Sequence, residues 1–287
     1  MSDEAPRAVE RSVVVGGSSL KYGFFEGEAG DPVLLLHPWF GCAAFWQDTV
    51  DGLAGRPRYV LDLYSLGDGR WEELAGPRGI AAAVLALLDA EGIARCALAG
   101  NSTGGVAAQL VAIAQPARVA TLVLVGTGAS TDGLPADYRA EVEAWMESDP
   151  DGSRSAALVR RLLSRDPPPE RMSVYVEAVR RANRPFMVRT LEGVLGLDLR
   201  PQLSAIRART LVIRGSLDAA RTRAHVRALL AGIDASIAIE LEGSGHSPMV
   251  DSAEAFVPIV RAFLDGERVA GAGRELLADG PERTAQR

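Results

Sequence analysis

Residues 96–110 read C-A-L-A-G-N-S-T-G-G-V-A-A-Q-L. An apolar run enters this stretch and an Ala-rich run with helical spacing leaves it. Between them stand Gly100, Ser102, Gly104 and Gly105. A strand must turn sharply into a helix here, with a serine at the turn. Three readings compete: a packing turn, a phosphate-binding loop, or a serine held up for chemistry. A nucleophilic serine needs its oxygen exposed at a strand end and backbone N–H groups nearby to receive an oxyanion. A tight strand-to-helix turn supplies both, provided that the residues two places to either side are small. Gly100-Asn101-Ser102-Thr103-Gly104 fits G-x-S-x-G in that context, and the helix N-terminus favours developing negative charge. A phosphate loop would want G-K-[ST] and a downstream acid for a ribose, and neither follows. On the pentapeptide alone, a plain Gly-rich turn stays open.

Working outward, short apolar runs alternate with helical patterns. Strands are expected at residues 12–15, 21–25, 33–37, 59–63, 96–100, 121–126, 210–215 and 236–242. Runs such as VLLL and LVLV are apolar at every position, as strands covered on both faces are. Helical spacing falls at 43–53, 80–90, 103–114, 222–230 and 253–264. Asp251 or Ser252 is placed to cap the last of these and Gly266 to end it. The alternation predicts an α/β fold with a mostly parallel sheet flanked by helices. It breaks once. From 128 to 207 no strand pattern appears, only helical segments at 136–146, 155–164, 169–182 and 186–195. An insertion of this size predicts a lid over the carboxyl edge of the sheet, where open α/β sheets place ligands. The expected organisation is a core (1–129), a helical lid (130–206), a second core part (207–267) and a flexible tail (268–287).

A serine nucleophile then needs an acid and a histidine, in the order Ser, Asp/Glu, His. Three histidines are present. His37 precedes Ser102, and His225 lies inside a helical pattern as a surface or packing residue. His246, in E-G-S-G-H-S-P after the last apolar strand, is the candidate base. Asp218 follows T-L-V-I-R-G and is the candidate acid, able to orient the imidazole and stabilise its charged form. Capping the next helix is its competing role, and Asp132 is the reserve acid.

Composition narrows the partners. Apolar residues make up 47% and charged residues 24% of 287, and the net charge is −6. Positive charge is scattered, which argues against a nucleic-acid surface. Cys42 and Cys96 form no CxxC pair, so no metal framework is visible and a reducing cytoplasm is the expected compartment. No apolar run reaches the ~18 residues of a membrane span, and M-S-D-E-A-P-R has no signal-peptide core. Neither a metal nor a cofactor is called for. The partner expected is a small, largely apolar molecule, and the chain is expected to be a monomer or homodimer.

With L-L-L-H-P-W-F-G, L-D-L-Y-S-L-G-D-G, A-G-N-S-T-G-G, L-V-I-R-G-S-L-D and G-S-G-H-S-P, the chain resembles the α/β-hydrolase fold superfamily over residues 11–264. The resemblance implies an eight-stranded sheet with a helical cap after the sixth strand. It also implies Ser102 as nucleophile, His246 as general base and acid, and Asp218 as the orienting acid. The oxyanion donors it implies are the backbone N–H groups of Trp39 and Thr103. G-N-S-x-G-G is similar both to carbon–carbon bond hydrolases acting on vinylogous diketones and to plain esterases. Ser102 stands where haloalkane dehalogenases and epoxide hydrolases carry aspartate, which favours acyl chemistry. Two departures stand out. Pro38 replaces the usual glycine after the histidine and has no N–H, and Y-S-L-G replaces the usual P-G-x-G. His37, Phe40, Trp145, Phe186 and Met187 are candidate substrate contacts. The function expected is hydrolysis of an apolar ester, lactone or activated ketone. Elimination or cyclisation with the same residues, and a ligand sensor built on the fold, are the alternatives.

Overall fold

Eight strands make one sheet: β1 (Val9–Val15), β2 (Ser18–Phe25), β3 (Val33–Leu36), β4 (Arg58–Asp62), β5 (Cys96–Asn101), β6 (Val119–Val125), β7 (Arg209–Gly215) and β8 (Ser236–Leu241), in the order β1-β2-β4-β3-β5-β6-β7-β8. The structure is a computed structural model and describes residues 8–131 and 136–273. From β4 through β8 every neighbour is parallel, while β2 pairs antiparallel with both β1 and β4. The central strands β3 and β5 are buried at every position, as the apolar runs Val33–Leu36 and Cys96–Ala99 require. The edge strand β1 is half in water and leaves Val14 exposed.

The helices between the strands are α1 (Gln47–Gly52), α2 (Pro77–Ala90), α3 (Thr103–Ala114) and α8 (Arg223–Gly232), with α9 (Pro248–Asp251) and α10 (Ala253–Leu264) after β8. Between β6 and β7 the chain makes four more: α4 (Ala136–Glu147), α5 (Ser153–Arg160), α6 (Pro169–Arg181) and α7 (Arg184–Val194). The eight-stranded α/β fold and its helical insertion after the sixth strand are as the sequence predicts. The insertion is fastened to the core by polar links. Arg171 pairs with Asp48 through two bonds of 2.6 Å, Asn183 Nδ2 donates to the Gly67 carbonyl at 2.9 Å, and the Gly76 N–H donates to Thr190 Oγ1 at 3.1 Å.

Local corrections have physical reasons. The pattern at 43–53 is a 3₁₀ turn (Ala43–Trp46) leading into α1. Asp251 does not cap α10; it ends α9, and Ser252, at the N-cap position, makes no side-chain cap bond. The helix after Asp218 is capped by Thr222, through a reciprocal box with His225, so Asp218 is free of that duty. At the start of the expected tail, Val269 is buried, and Gly273 exchanges two backbone hydrogen bonds with Ala238 of β8 (3.0 and 3.1 Å). An edge strand gains from such cover. Asp132 and residues 274–287 lie outside the described residues.

Candidate active site

The elbow follows from its glycines. A Cβ on Gly100 would lie 2.4 Å from the Gly104 carbonyl oxygen, and one on Gly104 would lie 2.5 Å from that of Leu36. Only hydrogen fits at either place, so β5 can pass directly into α3. Ser102 stands between them at φ 52°, ψ −117°, a conformation whose strain is on the order of 1–3 kcal/mol. Three hydrogen bonds of 2.9 Å hold it there. Its N–H donates to Val125, and its carbonyl accepts from the Val106 N–H and from Thr127 Oγ1. Thr103 is the first residue of α3, and its N–H donates to no acceptor among the described residues.

His246 and Asp218 meet. Both are buried, and Asp218 Oδ2 lies 2.9 Å from His246 Nδ1. Asp218 Oδ1 accepts the N–H groups of Ala220 and Arg221 at 2.9 and 3.0 Å. Burial by itself would raise this carboxyl; the His246 ring and the Arg221 N–H outweigh it and hold it below the usual carboxylate range. The approach of the two loops depends on Gly215 at the end of β7, where a Cβ would lie 2.1 Å from the Gly245 carbonyl oxygen. Arg214 braces the acid turn. Its guanidinium donates to the carbonyls of Asp218 (3.0 Å) and Arg221 (2.7 Å) and pairs with Glu240, which also holds Arg223.

Asn101, the residue before the serine, ties elbow to histidine loop. Its Nδ2 donates to the His246 carbonyl at 3.0 Å and to Val125 at 2.9 Å, and its Oδ1 accepts from Ser247 Oγ at 2.8 Å. The Ser102 hydroxyl and the His246 ring are thus brought to one edge of the sheet. No hydrogen bond joins them among the described contacts, a common state before substrate arrives.

The loop after β3 departs from one expectation. His37 is fully buried and both ring nitrogens are committed to backbone. Nε2 accepts the Leu63 N–H at 3.0 Å, which leaves Nδ1 to donate to the Pro38 carbonyl at 2.9 Å. Burial pushes its pKa down, so the ring is neutral. His37 is therefore a pin between two loops, with no nitrogen left for a substrate. Pro38 is accommodated because its carbonyl, not an N–H, is what the turn uses: it also accepts from Gly41 at 3.0 Å. Phe40 takes φ 60° inside this turn. Ser102 and Phe40 are the only non-glycine residues at positive φ among those described. The Trp39 N–H, like that of Thr103, donates to no acceptor among the described residues.

The aromatic candidates form a cluster between this loop and the insertion. Phe40 meets Trp145 edge-on at 5.4 Å and Tyr138 at 6.2 Å; Trp39 meets Tyr64 at 5.7 Å and Phe186 at 6.1 Å. Phe40, Trp145, Phe186 and Met187 are all buried. Trp145 Nε1 is spent on Ser155 Oγ at 3.1 Å, and Arg184 lies over the Trp145 ring. A separate cavity of about 380 Å³ between β2, the 43–47 turn and α6 is lined by none of Ser102, His246 and Asp218. Among the described residues no group of His, Cys, Asp and Glu is placed to hold a metal, and no helix is long and apolar enough to cross a membrane.

Sequence reasoning did not reach Asn101, Arg214 or Asp251 as site residues. The signals available were slight: a polar residue in an otherwise apolar β5, an arginine after the apolar run of β7, and an acid five places after the candidate base.

Comparison with known proteins agrees with this architecture. The chain is 31% identical over 263 residues to RutD of Azorhizobium caulinodans, provisionally named a carbamate hydrolase, spanning 86% of this chain and 96% of that one. It is 25% identical over 267 residues to the pimeloyl-[acyl-carrier protein] methyl ester esterase of Aeromonas hydrophila, spanning 82% and 96%. Among solved structures, a hydrolase from Pseudomonas aeruginosa PA01 superposes with a TM-score of 0.77 at 25% identity over 89% of this chain and 98% of that one. The alpha/beta hydrolase family matches residues 33–259, and the chain belongs to that family.

Proposed function

We propose that this hydrolase cleaves a small, largely apolar carboxylic ester or lactone through acyl transfer to Ser102. The observation that carries the reading is the joint construction of elbow and base: a serine at φ 52° whose neighbour Asn101 is bonded to the loop of His246, itself paired with buried Asp218. His246 Nε2 takes the proton from Ser102 as its oxygen attacks the carbonyl carbon, and Asp218 stabilises the imidazolium that forms. The N–H groups of Thr103 and Trp39 receive the oxyanion, the helix N-terminus adding its dipole. Collapse of the tetrahedral intermediate expels the alcohol, which takes the proton from His246. Water then repeats the sequence on the acyl-enzyme.

Residues 130–206 act as a lid on a core made of 1–129 and 207–267, and their aromatic side chains against Trp39 and Phe40 favour an apolar acyl or alkoxy group. The relatives' names point the same way, to carbamate and methyl-ester chemistry. Labelling with a fluorophosphonate followed by peptide mass spectrometry tests the reading. One adduct is expected, on the peptide carrying Ser102, and none on Ser102→Ala. An adduct elsewhere, or equal labelling of the variant, defeats the assignment.

A further inference from the structure

Asp251 is a buried carboxylate that the mechanism does not use. Asp251 is 2% exposed, and its oxygens are not spent on its own helix. Oδ2 accepts the N–H of Gly245, the residue before His246, at 2.7 Å. The same carboxylate accepts the N–H of Ser164 at 3.0 and 3.1 Å. Ser164 belongs to the insertion, just beyond α5, and the adjoining Arg165 donates its guanidinium to the Asp251 carbonyl. The approach is close enough to demand glycine: a Cβ on Gly245 would lie 2.8 Å from the Ser164 nitrogen. One anionic group therefore binds two backbone donors that belong to different parts of the molecule.

We propose that Asp251 is a positioning residue that couples docking of the helical insertion to alignment of His246. The inference rests on the assignment of His246 as base. A buried carboxylate needs its donors, since desolvation is not compensated without them. If the 163–165 segment withdraws, Asp251 loses the Ser164 bond and the Arg165 contact together. The carboxylate then moves toward water or follows the segment, and the Gly245 N–H is released beside the base. With the insertion seated, both bonds form and the histidine loop is fixed between Asp251 on one side and Asn101 on the other. The chemistry is thereby armed when the lid is down.

Asp251→Asn, made in the full chain, keeps the shape and removes one acceptor. For p-nitrophenyl acetate and p-nitrophenyl octanoate alike, kcat should fall by roughly 10- to 100-fold, as small misplacements of a catalytic group do. KM should rise for the octanoate only, because only the longer chain reaches the loosened insertion. The downfield proton resonance of His246 Nδ1–H should shift or broaden, and Asp251→Glu, which restores a carboxylate, should recover the resonance and most of kcat. A folded Asp251→Asn with unchanged kcat and unchanged resonance overturns the proposal. Hydrogen exchange on the unsubstituted protein decides the matter even if the variant does not fold. Ser164 and Gly245 should show one common protection factor once intrinsic exchange rates are divided out, and a Gly245 amide much more protected than Ser164 overturns the coupling. Failure of Ser102 to take the fluorophosphonate in the unsubstituted protein would instead defeat the serine-hydrolase reading itself, so the two failures are distinguishable.

Discussion

His37 shows how much a single ring decides at the residue scale. It stands where a substrate contact is expected, yet its nitrogens join Leu63 to Pro38 and so set the path of the loop that carries the Trp39 N–H. Because burial depresses its pKa, the unfolded chain binds a proton that the folded one resists. The sign follows: stability is unaffected well above the ordinary histidine value, about 6.5, and is lost as pH falls through it. His37→Gln should flatten that dependence between pH 7.5 and 5.5, while losing about 1–3 kcal/mol at pH 8 through imperfect pairing of the buried Leu63 N–H. Urea unfolding of both proteins across this range measures it, and identical slopes would refute the account. Ser102, His246 and Asp218 could be picked out as candidates from sequence because each sits just beyond a strand end beside glycines, a local signal. Asn101 and Asp251 could not. Their partners are backbone groups of residues distant in the chain, such as His246 for Asn101 and Ser164 for Asp251, and a backbone partner leaves no trace in residue type.

At the scale of elements, β7 and β8 lead into the loops of Asp218 and His246, the proposed acid and base, and a polar cluster of Arg214, Glu240 and Arg223 lies behind them. Arg214 is 4% exposed and follows the apolar run Leu211-Val212-Ile213 of β7, and Glu240 pairs with it and with Arg223. The bond from Arg223 lowers the Glu240 pKa most, burial opposes it, and the charge of Arg214 adds to the lowering. With the folded value depressed, the contribution of the carboxylate is complete above its unfolded value, about 4.3, and is lost as pH falls through the folded value. Glu240→Gln leaves the Arg214 guanidinium buried without its anion and should cost about 3 kcal/mol at pH 7. The deficit should shrink as pH falls below the unfolded value, about 4.3, because the unfolded carboxylate there takes up a proton that the folded one resists. The loosened Asp218 turn should also slow fluorophosphonate labelling of Ser102. Equal stability of the two proteins at pH 7 would count against the clamp. The strands themselves were legible because unbroken apolar runs admit little else, whereas the 3₁₀ entry to α1 was not: its residues keep helical spacing and differ only in how the turn closes.

For the whole molecule, the question is what seats the insertion on the core. The break in strand–helix alternation located it in the sequence, but its docking surface is a matter of side-chain packing that periodicity does not encode. Besides the hydrogen bonds of Asn183, Thr190 and Ser164, an ion pair and an aromatic contact join the insertion to the core. Arg171 and Asp48 form a bidentate ion pair whose side chains are 38% and 27% exposed. Phe186 is fully buried and its ring meets Trp39 and Trp71, each at 6.1 Å. Exposed pairs contribute about 1 kcal/mol or less, since water competes for both charges and salt screens them. Truncating a buried phenylalanine costs about 3–5 kcal/mol through lost burial and the cavity left behind. Packing should therefore dominate. Phe186→Ala should lower the free energy of unfolding by about 3–5 kcal/mol and expose the insertion to limited proteolysis. Arg171→Ala should cost at most about 1 kcal/mol and leave the proteolytic pattern unchanged. Raising salt to ~1 M, where charges beyond about 3 Å are screened, should likewise leave that pattern unchanged in the unsubstituted protein. If instead Arg171→Ala or high salt opens the insertion while Phe186→Ala does not, the insertion is held by charge and the aromatic cluster is only its lining.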